Sequence, residues 1–166
     1  FGILVHLDKP VLPARQPEAG HCLNLMKHVL LFVLVISFSS SLFAQSSKEQ
    51  AAIRKVMDDQ ALAWNRGDID GFMQGYWKSE KLTFVSTNVT RGWQQTLDRY
   101  KKSYDSREKM GTLTFSDLEI TVLSKDAAVV LGSWSLKRAN DMPGGKFTLI
   151  FRKFKEGWRV VHDHTS

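Results

Sequence analysis

The stretch from residue 112 to residue 166 constrains the fold most, because it reads as a series of long strands. Four segments alternate between apolar and other side chains, as half-buried strands do. They are residues 112–124, 127–139, 146–155 and 157–166. Short turns rich in charged residues, proline and glycine separate them. Long strands joined by short turns predict an antiparallel sheet in the C-terminal half of a domain.

The first of these strands changes phase part-way along its length. Its apolar residues are at positions 113 and 115, and then at 118, 120 and 122. Because side chains alternate between the two faces of a strand, this change predicts a β-bulge near Ser116 and Asp117, which bends the sheet.

Three helices are predicted before the long strands. Residues 47–65 repeat apolar side chains at helical spacing, and Gly67 suits the end of that helix. Asp68 is placed to cap a second, shorter helix, and Trp93 opens a third. A short strand at residues 81–86, followed by a turn, separates the second and third helices. We therefore predict an α+β domain in which a curved, bulged sheet wraps around the helices as a cone, with a pocket between them.

The N-terminal segment has the pattern of a secretory signal. Met26 is followed by a short basic region, about ten apolar residues, and small residues up to Ala44. Residues 26–44 are interpreted as a signal peptide and residues 1–25 as a disordered or non-native leader. Residues 45–166 would then form one exported domain, secreted or periplasmic, with no stable membrane insertion after cleavage. An uncleaved anchor is the alternative, although the apolar run is short for a bilayer.

Cysteine and charge content limit how this domain is held together and what it binds. The one cysteine, Cys22, falls in the leader, so the exported domain has no disulfide and depends on its core. The formal net charge of +6 comes from scattered Lys and Arg residues. No basic groove with interleaved aromatic residues accompanies them, so no nucleic-acid partner is expected.

The last strand carries the candidate catalytic residues. In strict alternation, one face holds Trp158, Val160, His162, His164 and Ser166. Asp163 is expected to point the other way. A strand face that begins apolar and ends polar predicts the mouth of a pocket, where polar groups find water or buried partners.

The two histidines admit three interpretations. His164 or His162 would act as a general base, because imidazole titrates near neutral pH. As a metal pair they would need carboxylates as further ligands, since residues 45–166 contain no other His and no Cys. As structural residues they would be satisfied by hydrogen bonds. Our prediction takes His164 and His162 as catalytic, with no metal and no cofactor.

Other polar groups are predicted to contact a ligand. Arg91 lies in a glycine-containing turn before a helix, where it would hold an anionic group or else be an exposed turn residue. Tyr76, Tyr100 and Trp134 combine an aromatic ring with a polar atom, and they are candidates to face the ligand instead of the core. Ser166 joins them from the face of the last strand.

Three segments resemble a known family. The segment at residues 64–77 (WNRGDIDGFMQGYW), the turn TRGW before the third helix and the closing GWRVVHDHTS are similar to the SnoaL-like branch of the nuclear transport factor 2-like superfamily. The order of helices and strands resembles the same superfamily over nearly all of residues 45–166. The resemblance implies a cystatin-like cone.

The resemblance does not fix a function. The superfamily includes ketosteroid isomerases, polyketide cyclases, epoxide hydrolases, dehydratases and binding domains. An isomerase of this fold would need a buried carboxylate beside a tyrosine donor, and the sequence shows no unmistakable acid at an inward strand position.

Three function classes therefore remain. The first is an exported domain that binds a small, largely apolar molecule, and the alternative is a cofactor-free isomerase, cyclase or hydrolase with a histidine base. The third is a structural association module. A homodimer is expected, because residues 147–154 have apolar side chains on both faces of a strand.

Overall fold

The computed structural model of the protein describes residues 46–166. The predicted leader (1–25) and signal peptide (26–44) lie outside the described residues. In chain order the elements are α1 (residues 46–65), α2 (Ile69–Met73), β1 (Thr83–Val85), β2 (Val89–Arg91), α3 (Trp93–Ser103), α4 (Arg107–Met110), β3 (Thr112–Ser124), β4 (Ala127–Lys137), β5 (Gly144–Phe154) and β6 (Gly157–Thr165).

The six strands form one open, mixed sheet in the order β2-β1-β6-β5-β4-β3. β1 runs parallel to β6, and every other pair of neighbours is antiparallel. The predicted α+β class, with a mixed sheet and helices in the N-terminal half, is confirmed. Two short elements differ from the sequence prediction: β2 occupies the expected turn, and α4 is an additional helical turn whose N-terminus is capped by Ser106.

The bulge predicted in β3 is present. The pairing of β3 with β4 shifts between Ser116 and Glu119. Asp117 in the bulge has a φ of 53°, and its carboxylate accepts a 2.7 Å hydrogen bond from the hydroxyl group of Ser133. This bond holds a backbone conformation that residues other than glycine rarely adopt.

Helix α1 packs its predicted apolar face against the rest of the domain. Its buried side chains include Ile53, Met57, Gln60 and Trp64. At its end, the indole N–H of Trp64 donates to the carbonyl of Met110 (3.1 Å). The side-chain amide of Asn65 bonds both backbone groups of Leu113, at 2.7 and 3.0 Å. These bonds fix the helix against the start of β3.

A partly buried ion pair fixes the other end of α1. The carboxylate of Glu49, which is 3% exposed, accepts hydrogen bonds from Nζ of Lys153 (2.7 and 2.8 Å) and from the indole N–H of Trp158 (2.7 Å). The bonds from Lys153 and then Trp158 lower the pKa of the Glu49 carboxyl. The helix is therefore tied to β5 and β6 as well as to β3.

Strand β6 contains a second bulge, at Val161. Ile150 of β5 lies opposite His162, whereas the next residue, Phe151, lies opposite Val160. Val161 is therefore an extra residue in β6. Because side chains alternate along a strand, one inserted residue exchanges the two faces for the rest of that strand.

Candidate functional site

A cavity of about 210 Å³ lies between the helices and the inner face of the sheet. Nine aromatic side chains line it: Trp64, Phe72, Tyr76, Phe84, Tyr100, Tyr104, Phe115, Trp134 and Phe147. Met57, Leu113, Leu136 and Leu149 add aliphatic wall. Pockets for drug-sized ligands measure roughly 300–1,000 Å³. This cavity is smaller, and its size and apolar wall can accommodate a molecule of about one ring.

The bulge at Val161 decides which residues of β6 enter the cavity. After the bulge, Asp163 and Thr165 line the cavity, while His162 and His164 occupy the alternate positions on the outer side of the sheet. Asp163 is 3% exposed, whereas His164 is an exposed residue. The cavity therefore contains a carboxylate where strict alternation predicts imidazoles.

The Asp163 carboxylate is held on both of its oxygen atoms. Oδ2 accepts a 2.7 Å hydrogen bond from the hydroxyl of Tyr76, and Oδ1 accepts one from the hydroxyl of Thr165. Burial in the apolar cavity raises the pKa of Asp163 to about 6, although these two hydrogen bonds and the nearby Arg99 oppose the rise. The group is therefore mostly ionised at neutral pH, yet close to its titration range.

Two tyrosines adjoin this carboxylate. Tyr76 is placed by a parallel bridge to Val160, just before the bulge. Tyr100 comes from α3, and its hydroxyl interacts with that of Tyr76. Burial, followed by the nearby negative charge of Asp163, raises the pKa of both phenols well above the ordinary value. Both tyrosines therefore stay protonated, and the one hydroxyl proton of Tyr76 is donated to Asp163.

One cation also lines the cavity. Arg99 projects from α3, its guanidinium lies 4.5 Å from the centre of the Phe84 ring, and Nη2 donates a 2.8 Å hydrogen bond to the hydroxyl of Ser86. Together with Asp163, it gives the cavity one group of each charge.

Some of the predicted site residues line the cavity and others do not. Tyr76, Tyr100, Trp134 and Ser166 all line the cavity, and the indole N–H of Trp134 donates to the Ser166 carbonyl at 3.2 Å. Whether they bind a ligand stays a prediction. Arg91 is exposed on β2 and reaches Thr83 instead of the cavity, so the predicted Arg91 contact is wrong in its placement.

The placement of His162 and His164 beside the cavity is also wrong. Val161 is inserted between the apolar start of β6 and its polar end, so the two histidines do not continue the inward face of the strand. The same insertion brings in Asp163, which the sequence argument assigned to the opposite face.

Several polar residues of the cavity were missed from sequence, among them Asp163, Thr165 and Arg99. The signal for the first two was the pair of valines at 160 and 161, either of which suits an inward position. Arg99 sits one residue before Tyr100 on α3, at the margin of the apolar helix face. Charged residues at such margins usually extend into solvent, so the pattern alone does not single out Arg99.

Neither a metal nor a membrane-spanning helix is indicated by the described structure. No group of three His, Cys, Asp or Glu side chains within residues 46–166 is arranged to hold a metal ion. In the same part of the chain, no helix has the length and apolar character needed to cross a membrane. The polar groups that line the cavity are a carboxylate, an amide, indole, phenol and hydroxyl groups, and a guanidinium.

The chain belongs to the SnoaL-like domain family, which matches residues 53–166. No curated protein matches the chain.

Solved structures agree with this membership. An NTF-2 like protein of unknown function from Shewanella oneidensis MR-1 is 44% identical, with a TM-score of 0.68, over 70% of this chain and 98% of that chain. A nuclear transport factor 2-like superfamily protein from Salmonella enterica is 21% identical, with a TM-score of 0.59, over 72% and 91%. A domain with a cystatin-like fold from Nostoc punctiforme is 18% identical, with a TM-score of 0.62, over 73% and 78%. The last two show the fold alone.

Proposed function

We propose that the cavity binds a small, largely apolar molecule through oxygen-containing polar groups. The observation that carries this proposal is the Asp163 carboxylate, buried in an aromatic cavity and hydrogen-bonded by Tyr76. Burying a charge in apolar surroundings is costly unless its partners compensate. The raised pKa of Asp163 indicates that its partners compensate only in part. A cavity that retains such a group is better explained by binding than by packing.

The polar groups define how the ligand is oriented. Ionised Asp163 accepts a hydrogen bond from a ligand hydroxyl, since a carboxylate has more lone pairs than Tyr76 and Thr165 occupy. The aromatic wall then covers the apolar remainder of the ligand, at about 25 cal/mol for each Å² of apolar surface removed from water.

Binding of p-cresol tests this proposal. We expect saturable binding by ligand-observed NMR. Ser103→Phe should weaken the affinity at least about tenfold, because Ser103 lines the cavity at an exposed position and a larger side chain there obstructs the ligand. Gln94→Phe is the matched control, since Gln94 is an exposed residue of the same helix outside the cavity lining. Equal binding by the wild type and Ser103→Phe would place the ligand elsewhere and contradict the proposal.

A second candidate function is proton transfer without a cofactor, with Asp163 as the base. The observation that favours it is a carboxylate whose pKa lies near 6, next to phenols that remain protonated. A base works best when its pKa is close to the working pH, and a phenol can stabilise the oxyanion that forms when a carbon next to a carbonyl loses a proton. Here Asp163 takes the role that the sequence analysis gave to His164 or His162.

Deuterium exchange separates the second function from binding alone. Phenylacetone in deuterated buffer is expected to exchange its protons next to the carbonyl faster with the protein than without it. Asp163→Asn is expected to lower the protein-catalysed exchange rate at least about a hundredfold, since a general base contributes a factor of about 10²–10⁴ in rate. If the protein binds phenylacetone but the exchange proceeds at the uncatalysed rate, proton transfer by Asp163 is excluded and binding alone remains as the function.

A further inference from the structure

We propose that the ligand carries, besides the group that contacts Asp163, a carboxylate whose negative charge is held by Arg99. This inference rests on the proposed binding function and specifies the chemical class of the ligand. It concerns the cationic side of the cavity, where no sequence pattern indicated a role.

Arg99 is fixed at the cavity wall by two contacts. Its guanidinium stacks over Phe84, with 4.5 Å from the guanidinium carbon to the ring centre, and Nη2 donates to Ser86 at 2.8 Å. A guanidinium held on an aromatic face is pre-ordered, so little side-chain entropy remains to be lost when it binds a ligand.

The hydrogen-bonding capacity of Arg99 is largely unused by the described part of the chain. A guanidinium has five N–H donors. Among residues 46–166, Ser86 is its one hydrogen-bond partner, and Arg99 makes no direct ion pair there. Asp163 is near, but within residues 46–166 its carboxylate accepts from Tyr76 and Thr165 and makes no direct hydrogen bond with Arg99.

The cavity favours a carboxylate over other anions. A planar carboxylate matches the fork of a guanidinium with two parallel hydrogen bonds. A phosphate dianion would need more positive charge than one arginine supplies, and Arg99 is the one Lys or Arg among the residues that line the cavity. The apolar wall of Phe84, Tyr100 and their neighbours suits the hydrocarbon part of a monocarboxylate.

The test compares 4-methylbenzoate with its neutral counterpart 4-methylbenzamide. Calorimetric titration of the intact protein at neutral pH and moderate salt is expected to give at least about tenfold tighter binding for the benzoate. Arg99→Met keeps a chain that can cover Phe84 and removes the charge. It is expected to abolish this preference and to leave benzamide affinity within about threefold. Arg99→Lys should keep part of the preference, because the charge remains while the fork is lost.

Arg91→Met is the matched control for surface charge. Arg91 is exposed on β2 outside the cavity lining, so its loss should leave the preference unchanged. An equal effect of the two arginine variants would overturn the inference, as would a wild type that binds both probes equally. If benzamide binds in the cavity without a benzoate preference, the carboxylate inference fails while the proposed binding function stands. If neither probe binds at millimolar concentration, the carboxylate inference fails, and p-cresol binding decides the proposed function separately.

Discussion

The hydroxyl of Tyr76 donates a 2.7 Å hydrogen bond to Oδ2 of Asp163, inside the apolar cavity. The two residues are 87 positions apart in the chain. Tyr76 is aligned by its bridge to Val160, and Asp163 faces Tyr76 because Val161 is an extra residue in β6. One inserted residue thus exchanges imidazoles for a carboxylate at the candidate site.

Replacing Asp163 with asparagine is expected to stabilise the protein above pH 7. The folded pKa of about 6 lies above the reference value of 3.8. Between about pH 4 and pH 6 the native state therefore binds more protons than the unfolded state. Wild-type stability falls as the pH rises through this range. A rise of about two units corresponds to about 3 kcal/mol. Chemical unfolding at pH 8 should show Asp163→Asn more stable by about 1–3 kcal/mol.

The stability difference should shrink as the pH falls from 6 to 4 and disappear below about pH 3, where the carboxyl is protonated in both states. Asp126→Asn is the control, because Asp126 forms a surface pair with Arg152 and has no raised pKa. If Asp163→Asn were less stable than the wild type at pH 8, the ionised carboxylate would stabilise the fold. That result would contradict the raised pKa of Asp163.

Removing the Tyr76 hydroxyl is expected to raise the pKa of Asp163 further. Burial is the main cause of the raised pKa, and the Tyr76 hydrogen bond opposes it. In Tyr76→Phe the carboxylate loses that bond, so its pKa should rise by about one unit above the wild-type value. Carboxyl carbon NMR titration measures the change. Tyr104→Phe, which alters a cavity tyrosine without a hydrogen bond to Asp163 in the described structure, should leave the titration in place.

The two histidines of β6 are expected to have little effect on binding. His162 and His164 lie outside the cavity lining, so His162→Ala and His164→Ala should keep p-cresol affinity within about twofold and cost less than about 1.5 kcal/mol in stability. Titration of both variants beside Ser103→Phe provides the comparison. A tenfold loss in either histidine variant would restore the role that the sequence first indicated.

The outer face of the sheet is expected to form a homodimer. Val129, Ile150 and His162 lie side by side on this face, and Leu131 lies in the next row. Ile150 and Leu131 are 38% and 44% exposed. Apolar side chains exposed at the centre of a sheet are typical of an interface.

Sedimentation equilibrium tests this assembly with a double variant. Ile150→Lys with Leu131→Lys should lower the association constant at least about a hundredfold, because two charges would be buried. Leu62→Lys, on the outward face of α1, is the control, since Leu62 is 63% exposed. A monomeric wild type at several hundred micromolar would contradict the dimer.

Most of the fold could be predicted because apolar residues recur at the spacing of a helix or of a strand in most of its elements. The bulge in β3 could be predicted, since apolar side chains precede and follow it and their alternation changes phase at Asp117. The bulge in β6 could not be predicted. The extra residue is Val161, which follows another valine, and the residues after it are polar on both faces, so the apolar pattern does not show the shift. The candidate site depends on that single residue, and this is why the tyrosines were predicted and Asp163 was not.

The carboxyl carbon resonance of Asp163 during a p-cresol titration tests the central claim most directly. We predict that this resonance shifts and saturates with the same dissociation constant as the ligand signal, because the ligand oxygen contacts the carboxylate. Ser103→Phe should shift the midpoint to higher p-cresol concentration. A saturating ligand signal with an unchanged Asp163 resonance would show that the molecule binds away from this carboxylate, and it would contradict the account.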